Sequence, residues 1–353
     1  MISANEFKRT VAEEGNVYLK EFFLYRVLRR EYLQNNVGII QSCCPMCLLT
    51  FSPDYLVFED VTTFGYKTIT ERETLSLECV KSCLHSVAKF HCSTLIFEER
   101  MSRKVGTTYR VSKTYPSVFK EALFSGRHYS SVLLEGIKTG VDALINIFSN
   151  PEKIDVANLK EFAHNIIDDL PNILKPSNRF RNTICHGNLC ISNMLFKFVD
   201  VKPCHCYLID FNYYRYLPPA HDFMGMIYLS TNREFRKKHM EKVTSFYYQR
   251  MSEILKDHDL DVSTILPREE FIASCKMYKQ FAIAQTFHYF PHILLTSEQR
   301  KLVHRLPGGV DRLIFGNKAY SIQKLCDVDE VYRSKLKEIV MDLEDEFNEG
   351  NSE

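Results

Sequence analysis

The stretch from Cys185 to Asp222, CHGNLCISNMLFKFVDVKPCHCYLIDFNYYRYLPPAHD, constrains the fold more than any other part of the chain. Brief β-type runs, Thr183 to His186, Met194 to Val199 and His205 to Asp210, are separated by loops too short to hold a helix. Neighbouring runs must therefore form strand-loop units without βαβ crossovers. On either side the apolar period is helical. Tyr18, Phe22, Tyr25 and Leu28 predict a helix between about Asn5 and Arg30; Leu77 to Phe90, Leu134 to Phe148 and Leu159 to Leu170 give three further stripes, the last expected to stop at Pro171. Long helical patterns resume at His221 to Ser230, Arg233 to Leu255, Arg268 to His288 and Val328 to Phe347. Gly38 to Phe51 is rich in β-formers, and Tyr55 to Asp60 predicts one short strand. An α+β protein follows, with a small sheet in front, a mostly helical body, and an insert that presents polar residues at its turns.

Composition narrows the function. Forty-five Lys and Arg against 44 Asp and Glu leave a formal charge of +1, so there is no overall attraction to nucleic acid or to an anionic membrane. The opening residues lack the apolar stretch of a secretory signal, and no run of roughly 18 apolar residues predicts a membrane span. A soluble, cytoplasmic protein is expected, with its twelve scattered cysteines reduced and mostly buried. Cys43-Cys44-Pro45-Met46-Cys47 lacks a second Cys/His pair at zinc-ribbon spacing, and Cys204-His205-Cys206 alternates along a strand entry; both read as structural. The run Arg233, Arg236, Lys237, Lys238 reads as a solvated helix face, and Asp342 to Glu353 as a frayed acidic tail.

Chemistry concentrates in the hairpin segment. One strand-loop unit delivers Asn188 and Asn193, the next Asp210, and an amide beside a carboxylate makes a hard-oxygen site suited to Mg²⁺ and phosphates. The same asparagines also suit turn capping. His186-Gly187-Asn188, Asn193 five residues on, and Ile209-Asp210-Phe211 resemble the catalytic loop and metal-binding motif of kinase-like folds. More closely, HGNLCISNMLFKF…LIDFN…HD resembles the string of the ecdysteroid-kinase-like, or CHK-like, family, relatives of choline kinases and aminoglycoside phosphotransferases. Tyr18 to Tyr25, Leu56 to Asp60 with Gly65-Tyr66, Val87 to His91, and Asp222 with Leu229-Ser-Thr231 resemble further motifs of that family in the same order.

The resemblance implies a protein-kinase-like two-lobe fold and ATP- and Mg²⁺-dependent phosphorylation of a small-molecule alcohol, a steroid or an amino alcohol. It places Glu59, Asp60 and Val61 at the adenine, Asn193 and Asp210 on Mg²⁺, Glu21 on the first helix facing the cleft, Asp222 in support of the loop, and His186 and Asn188 in the catalytic loop. Two departures stand out. No G-x-G-x-x-G or strand Lys precedes Glu21, and Lys8 and Lys20 fall in helical sequence, which predicts a truncated N-terminal lobe (residues 1–60) before a large C-terminal lobe (61–353). Asn188 stands where the family has its catalytic Asp, and an amide cannot take a proton from a hydroxyl. A catalytically impaired kinase that retains a small-molecule pocket is expected; the alternative is an active phosphotransferase whose chain continues upstream of Met1. Arg179 or Arg181 is a candidate to replace the missing cation.

Overall fold

A computed structural model describes residues 9, 13, 15–52, 55–125, 128–305 and 309–350. Most of the N-terminal start expected for the first helix lies outside them. From Val17 the chain forms α1 (Val17–Phe23), a π-type turn (Leu24–Leu28) and α2 (Arg29–Gln34), burying Leu24, Leu28 and Tyr32. The β-rich stretch that follows divides: Gly38–Ser42 is a 3₁₀ helix, and β1 (Cys47–Ser52) pairs antiparallel with β2 (Tyr55–Phe58). The expected strand ends two residues early because the Asp60 side chain accepts from Thr62 N and starts the turn Val61–Phe64. β3 (Tyr66–Lys67) belongs to a different sheet, ordered β3-β5-β6.

Helix α3 (Leu77–Val105) is capped by Ser76, whose hydroxyl accepts from Cys79 N, and ends at Gly106 in the left-handed region. Its apolar stripe, Val80, Leu84, Val87 and Phe90, is buried. After α4 (His128–Phe148), α5 (Val156–Ile173) continues past Pro171. A proline in a last turn removes one intrahelical bond, and burial of Leu170 and Leu174 carries the turn regardless. β4 (Thr183–Cys185) precedes the hairpin β5 (Met194–Val199) and β6 (Lys202–Leu208), which turns on Asp200 at φ 55°. β7 (Arg215–Leu217) returns to pair with β4, Cys185 opposite Arg215. That return brings the two loops of the segment together.

The body is completed by α6 (Ala220–Ser230), α7 (Arg233–Lys256), α8 (Arg268–Ile293), α9 (Ser297–Arg305), α10 (Gly309–Phe315), α11 (Ala319–Val328) and α12 (Glu330–Gly350). Every residue of α6 is buried, against α8 among others. Two surface expectations are corrected here. The acidic end is helix through Gly350, because Leu336, Ile339, Val340 and Leu343 continue a buried stripe. Asp342 is buried with it and holds Arg233, at 3.0 Å, and Arg236, so half of the supposed solvated basic face is an anchored ion network. Ten of the twelve cysteines are buried and none is paired. No helix of the described residues is long and apolar enough to cross a membrane.

Candidate active site

Asp222, in the first turn of α6, organises the site. Its Oδ2 accepts from His186 N (2.5 Å) and His91 Nε2 (3.0 Å), and its Oδ1 from Gly187 N (2.9 Å) and His221 Nδ1 (3.1 Å). Burial alone would raise the pKa of this carboxyl, but the hydrogen bonds from His221 and His91 outweigh it and hold the group well below the usual range. His91, Cys185 and Asp222 offer ligand atoms within 4.8 Å of one another. His91 Nδ1, however, accepts from the Tyr247 hydroxyl at 2.5 Å, so both ring nitrogens are committed and the cluster is a hydrogen-bonding hub.

The hub fixes the turn that follows β4. Gly187 has φ +83°, and a Cβ there would lie 2.1 Å from the Tyr213 carbonyl oxygen, so no other residue fits this crossing of the two loops. Arg215 Nη1 donates to the Gly187 carbonyl (2.8 Å), while its Nε and Nη2 grip Glu121 at 2.6 and 2.9 Å. Burial works to raise the Glu121 pKa, and Arg215 overcomes it, bringing the carboxyl down to about 2. Gly187→Ala is expected to reduce the folded yield and the thermal midpoint sharply; a variant with a wild-type melting curve would show that the crossing is looser than described.

His186 is held in this frame. Its Nε2 donates to the Ile209 carbonyl (2.8 Å), its Nδ1 accepts from Asn188 N (3.3 Å), and its ring packs on Phe211 at 4.6 Å. Burial lowers its pKa, which suits a neutral positioning group. Asn193 Nδ2 donates to the Asn188 carbonyl (2.9 Å), and Ile209 N donates to the Asn193 carbonyl (3.1 Å), so Asn193 joins one loop to the residue before Asp210. Asp210 sits at φ 66°, ψ 66°, with Oδ1 accepting from Asn212 Nδ2 at 2.7 Å. Such strain at a polar residue clusters at functional sites.

The first helix reaches the same turn. Glu21 Oε1 accepts from Phe211 N at 3.3 Å, and its pKa is raised, first by burial and then by Asp210. Lys20, fully buried, sends Nζ to the Tyr214 carbonyl (3.0 Å), and burial brings its pKa down to about 8. Adjacent residues of α1 thus hold both ends of the turn 211–214. His186, Asn188, Asn193, Asp210 and Glu21 are linked in one continuous cluster. Glu59, Asp60 and Val61 form a separate station. Glu59 exchanges bonds with Met46, through N at 3.0 Å and Oε1 at 2.7 Å, Asp60 caps its turn, and Val61 is buried. Tyr25 connects the two, its ring 4.9 Å from Phe58 and 6.1 Å from Phe211.

Arg181 does not reach this cluster through the bonds described; its Nη2 lies 2.9 Å from Glu98 and 3.0 Å from Glu99. Sequence reasoning missed the ion pair of Arg215 with Glu121. A lone charge among aromatic residues in YYRYL signals a buried pair, but its partner is 94 positions away. Among Asn188's atoms one stands out. Its Oδ1 is buried and has no hydrogen-bond partner among the described residues.

A model of the ecdysteroid kinase-like family matches residues 1–260. Among solved structures the chain is similar to the Plasmodium vivax ethanolamine kinase, with 13% identity over 88% of this chain and 74% of that one and a TM-score of 0.36. A comparison with curated proteins finds no match. The family match runs from the first helix through the hairpins and into the helical body, and it takes in every motif residue placed above: the chain belongs to the ecdysteroid kinase-like family.

Proposed function

We propose that this protein binds a small-molecule alcohol in a kinase-like cleft and is impaired in phosphoryl transfer to it. The observation that carries the reading is Asn188 Oδ1, a buried acceptor without a partner among the described residues, at the position of the family's base. An orphaned buried acceptor is costly, and the hydroxyl of an acceptor alcohol would satisfy it by donating. Asn188 would then orient the hydroxyl without removing its proton. Loss of general-base help is worth ~10²- to 10⁴-fold.

The residues fit Mg²⁺ and ATP in part. With its Nδ2 committed to the Asn188 carbonyl, Asn193 would offer Oδ1 and Asp210 its carboxylate, oxygen donors of the hard kind that Mg²⁺ takes. Bound there, the ion would neutralise phosphate charge. Glu59 to Val61 would face adenine, and Glu21 would hold the Phe211 turn in register. Residues 1–60 would act as the smaller lobe and 61–353 as the larger, in a cytoplasmic protein. The rival reading, an active phosphotransferase for a steroid or amino alcohol, draws on the intact Asp222 frame, since phosphoryl transfer rests largely on positioning. Lys20, however, is turned to Tyr214 and is not available to clamp phosphates. Calorimetry with Mg-ATP is expected to show feeble binding that Asp210→Asn removes. A low-micromolar dissociation constant would contradict the impaired reading.

A further inference from the structure

A polar cavity of about 400 Å³ opens at the other end of β4 from His186. Its walls carry Arg110, Lys113, Arg179 and Arg181 over the loop 176–182, and Tyr216 closes it from β7. Successive strand residues face opposite sides, so Arg215 serves the Gly187 turn while Tyr216 serves this cavity, its hydroxyl donating to Glu98 at 2.8 Å.

The charge is unbalanced. Glu98 and Glu99 meet Arg181 at 2.9 and 3.0 Å and Arg110 at 3.9 and 3.7 Å. Two carboxylates thus offset two guanidinium groups. Lys113 and Arg179 are exposed, and among the described residues neither has an ion-pair partner, which leaves a surplus of two positive charges. Arg181 Nε is buried and has no hydrogen-bond partner among the described residues, although its side chain is only 10% exposed. The loop is fixed in advance. Ser177 Oγ accepts from Arg179 N (3.1 Å) and Phe180 N (2.9 Å), and Asn182 takes Ser177 N on Oδ1 (2.9 Å) while its Nδ2 donates to the Ser177 carbonyl (2.7 Å). Arg179 rests over the Phe180 ring at 4.7 Å.

We propose that this cavity binds the phosphate of a phosphorylated small molecule, at a site distinct from the Asn188–Asp210 cluster. A phosphomonoester carries about −1.5 to −2 charge at neutral pH and three strong acceptor oxygens, which matches the surplus of two, and guanidinium forks suit those oxygens. The volume suits a small molecule, whose pockets span roughly 300–1,000 Å³. The preformed loop lowers the ordering cost of binding.

The test is calorimetry of the full chain with phenyl phosphate in EDTA, with benzoate as a monoanionic control, on wild type, the Lys113→Ala/Arg179→Ala double variant and Asp210→Asn. Lys113 and Arg179 are exposed and among the described residues in no ion pair, so the double variant loses little beyond the Arg179–Phe180 contact and keeps the fold; an unchanged melting curve verifies this. Phenyl phosphate is expected to bind wild type and Asp210→Asn equally, to bind the double variant at least about tenfold more weakly, and to weaken as the pH falls through the second phosphate pKa of about 6. Equal affinity in the double variant, loss in Asp210→Asn, benzoate binding as tight as phosphate, or no binding by wild type would each overturn the proposal. Only the Asp210→Asn outcome bears on the kinase-like cleft, so the two readings fail separately.

Discussion

Asp222→Ala is expected to destabilise the protein by ~3–5 kcal/mol, the range for breaking a fully buried charged hydrogen-bond set. The substitution leaves the amides of His186 and Gly187 and the rings of His91 and His221 without their common acceptor. Urea denaturation checks it through the midpoint at constant slope; a loss below about 1 kcal/mol would mean that water replaces the carboxylate. The same group sets an acid dependence. Its folded pKa lies below the ordinary 3.8, so the stabilisation is fully present above that value and is lost as the pH falls below it toward the folded pKa. The variant should lack that component of acid unfolding.

Lys318→Met should act in the opposite direction. Lys318 is fully buried beside Gly140, its Nζ has no hydrogen-bond partner among the described residues, and burial brings its pKa from 10.5 down to about 7. At 1.36 kcal/mol per pKa unit, holding this lysine costs roughly 5 kcal/mol near pH 7. The variant is expected to gain about 3–5 kcal/mol there. Between about pH 7 and 10.5 the unfolded chain binds the proton that the folded one has released, so wild-type stability should rise with pH across that window by more than the variant's, which keeps the contribution of Lys20, lowered by burial to about 8. The positive charge also disfavours protonation of His288 and His292, an effect the variant removes. Denaturation at pH 7, 8 and 9 checks this, and a less stable variant would show that Lys318 is compensated by something it binds.

What could be read from the residues was local. The β5–β6 hairpin announces itself by short apolar runs and polar turns, and His186 to Asn193 with Ile209 to Phe211 identifies the loop by spacing. The long stripes of α3, α4 and α6 to α8 follow from period alone. What escaped depends on distant segments. β7 is three residues long and exists because β4 is there to pair with it. Glu121 has meaning only beside Arg215, and Lys20 only beside the Tyr214 carbonyl. The acidic residues of α12 suggest a tail when counted, but Leu336 to Leu343 keep a buried face beneath them. Helices α9 to α11 are short and broken by polar residues, so periodicity had too little length in which to show. Asn188 could be identified by position; that its amide oxygen lies buried and without a partner among the described residues is a fact of packing.

The central claim is a kinase-like cleft that positions an alcohol without deprotonating it. Its most direct test is ADP release by the full chain, with Mg-ATP and a panel of steroid and amino-alcohol acceptors, comparing wild type, Asn188→Asp and Asp210→Asn. The account predicts background release from wild type and Asp210→Asn, and only a marginal gain in Asn188→Asp, because a restored carboxylate does not supply a phosphate clamp that Lys20 leaves unfilled. Robust, acceptor-dependent turnover by the wild-type chain would contradict it, showing that the amide of Asn188 suffices for catalysis.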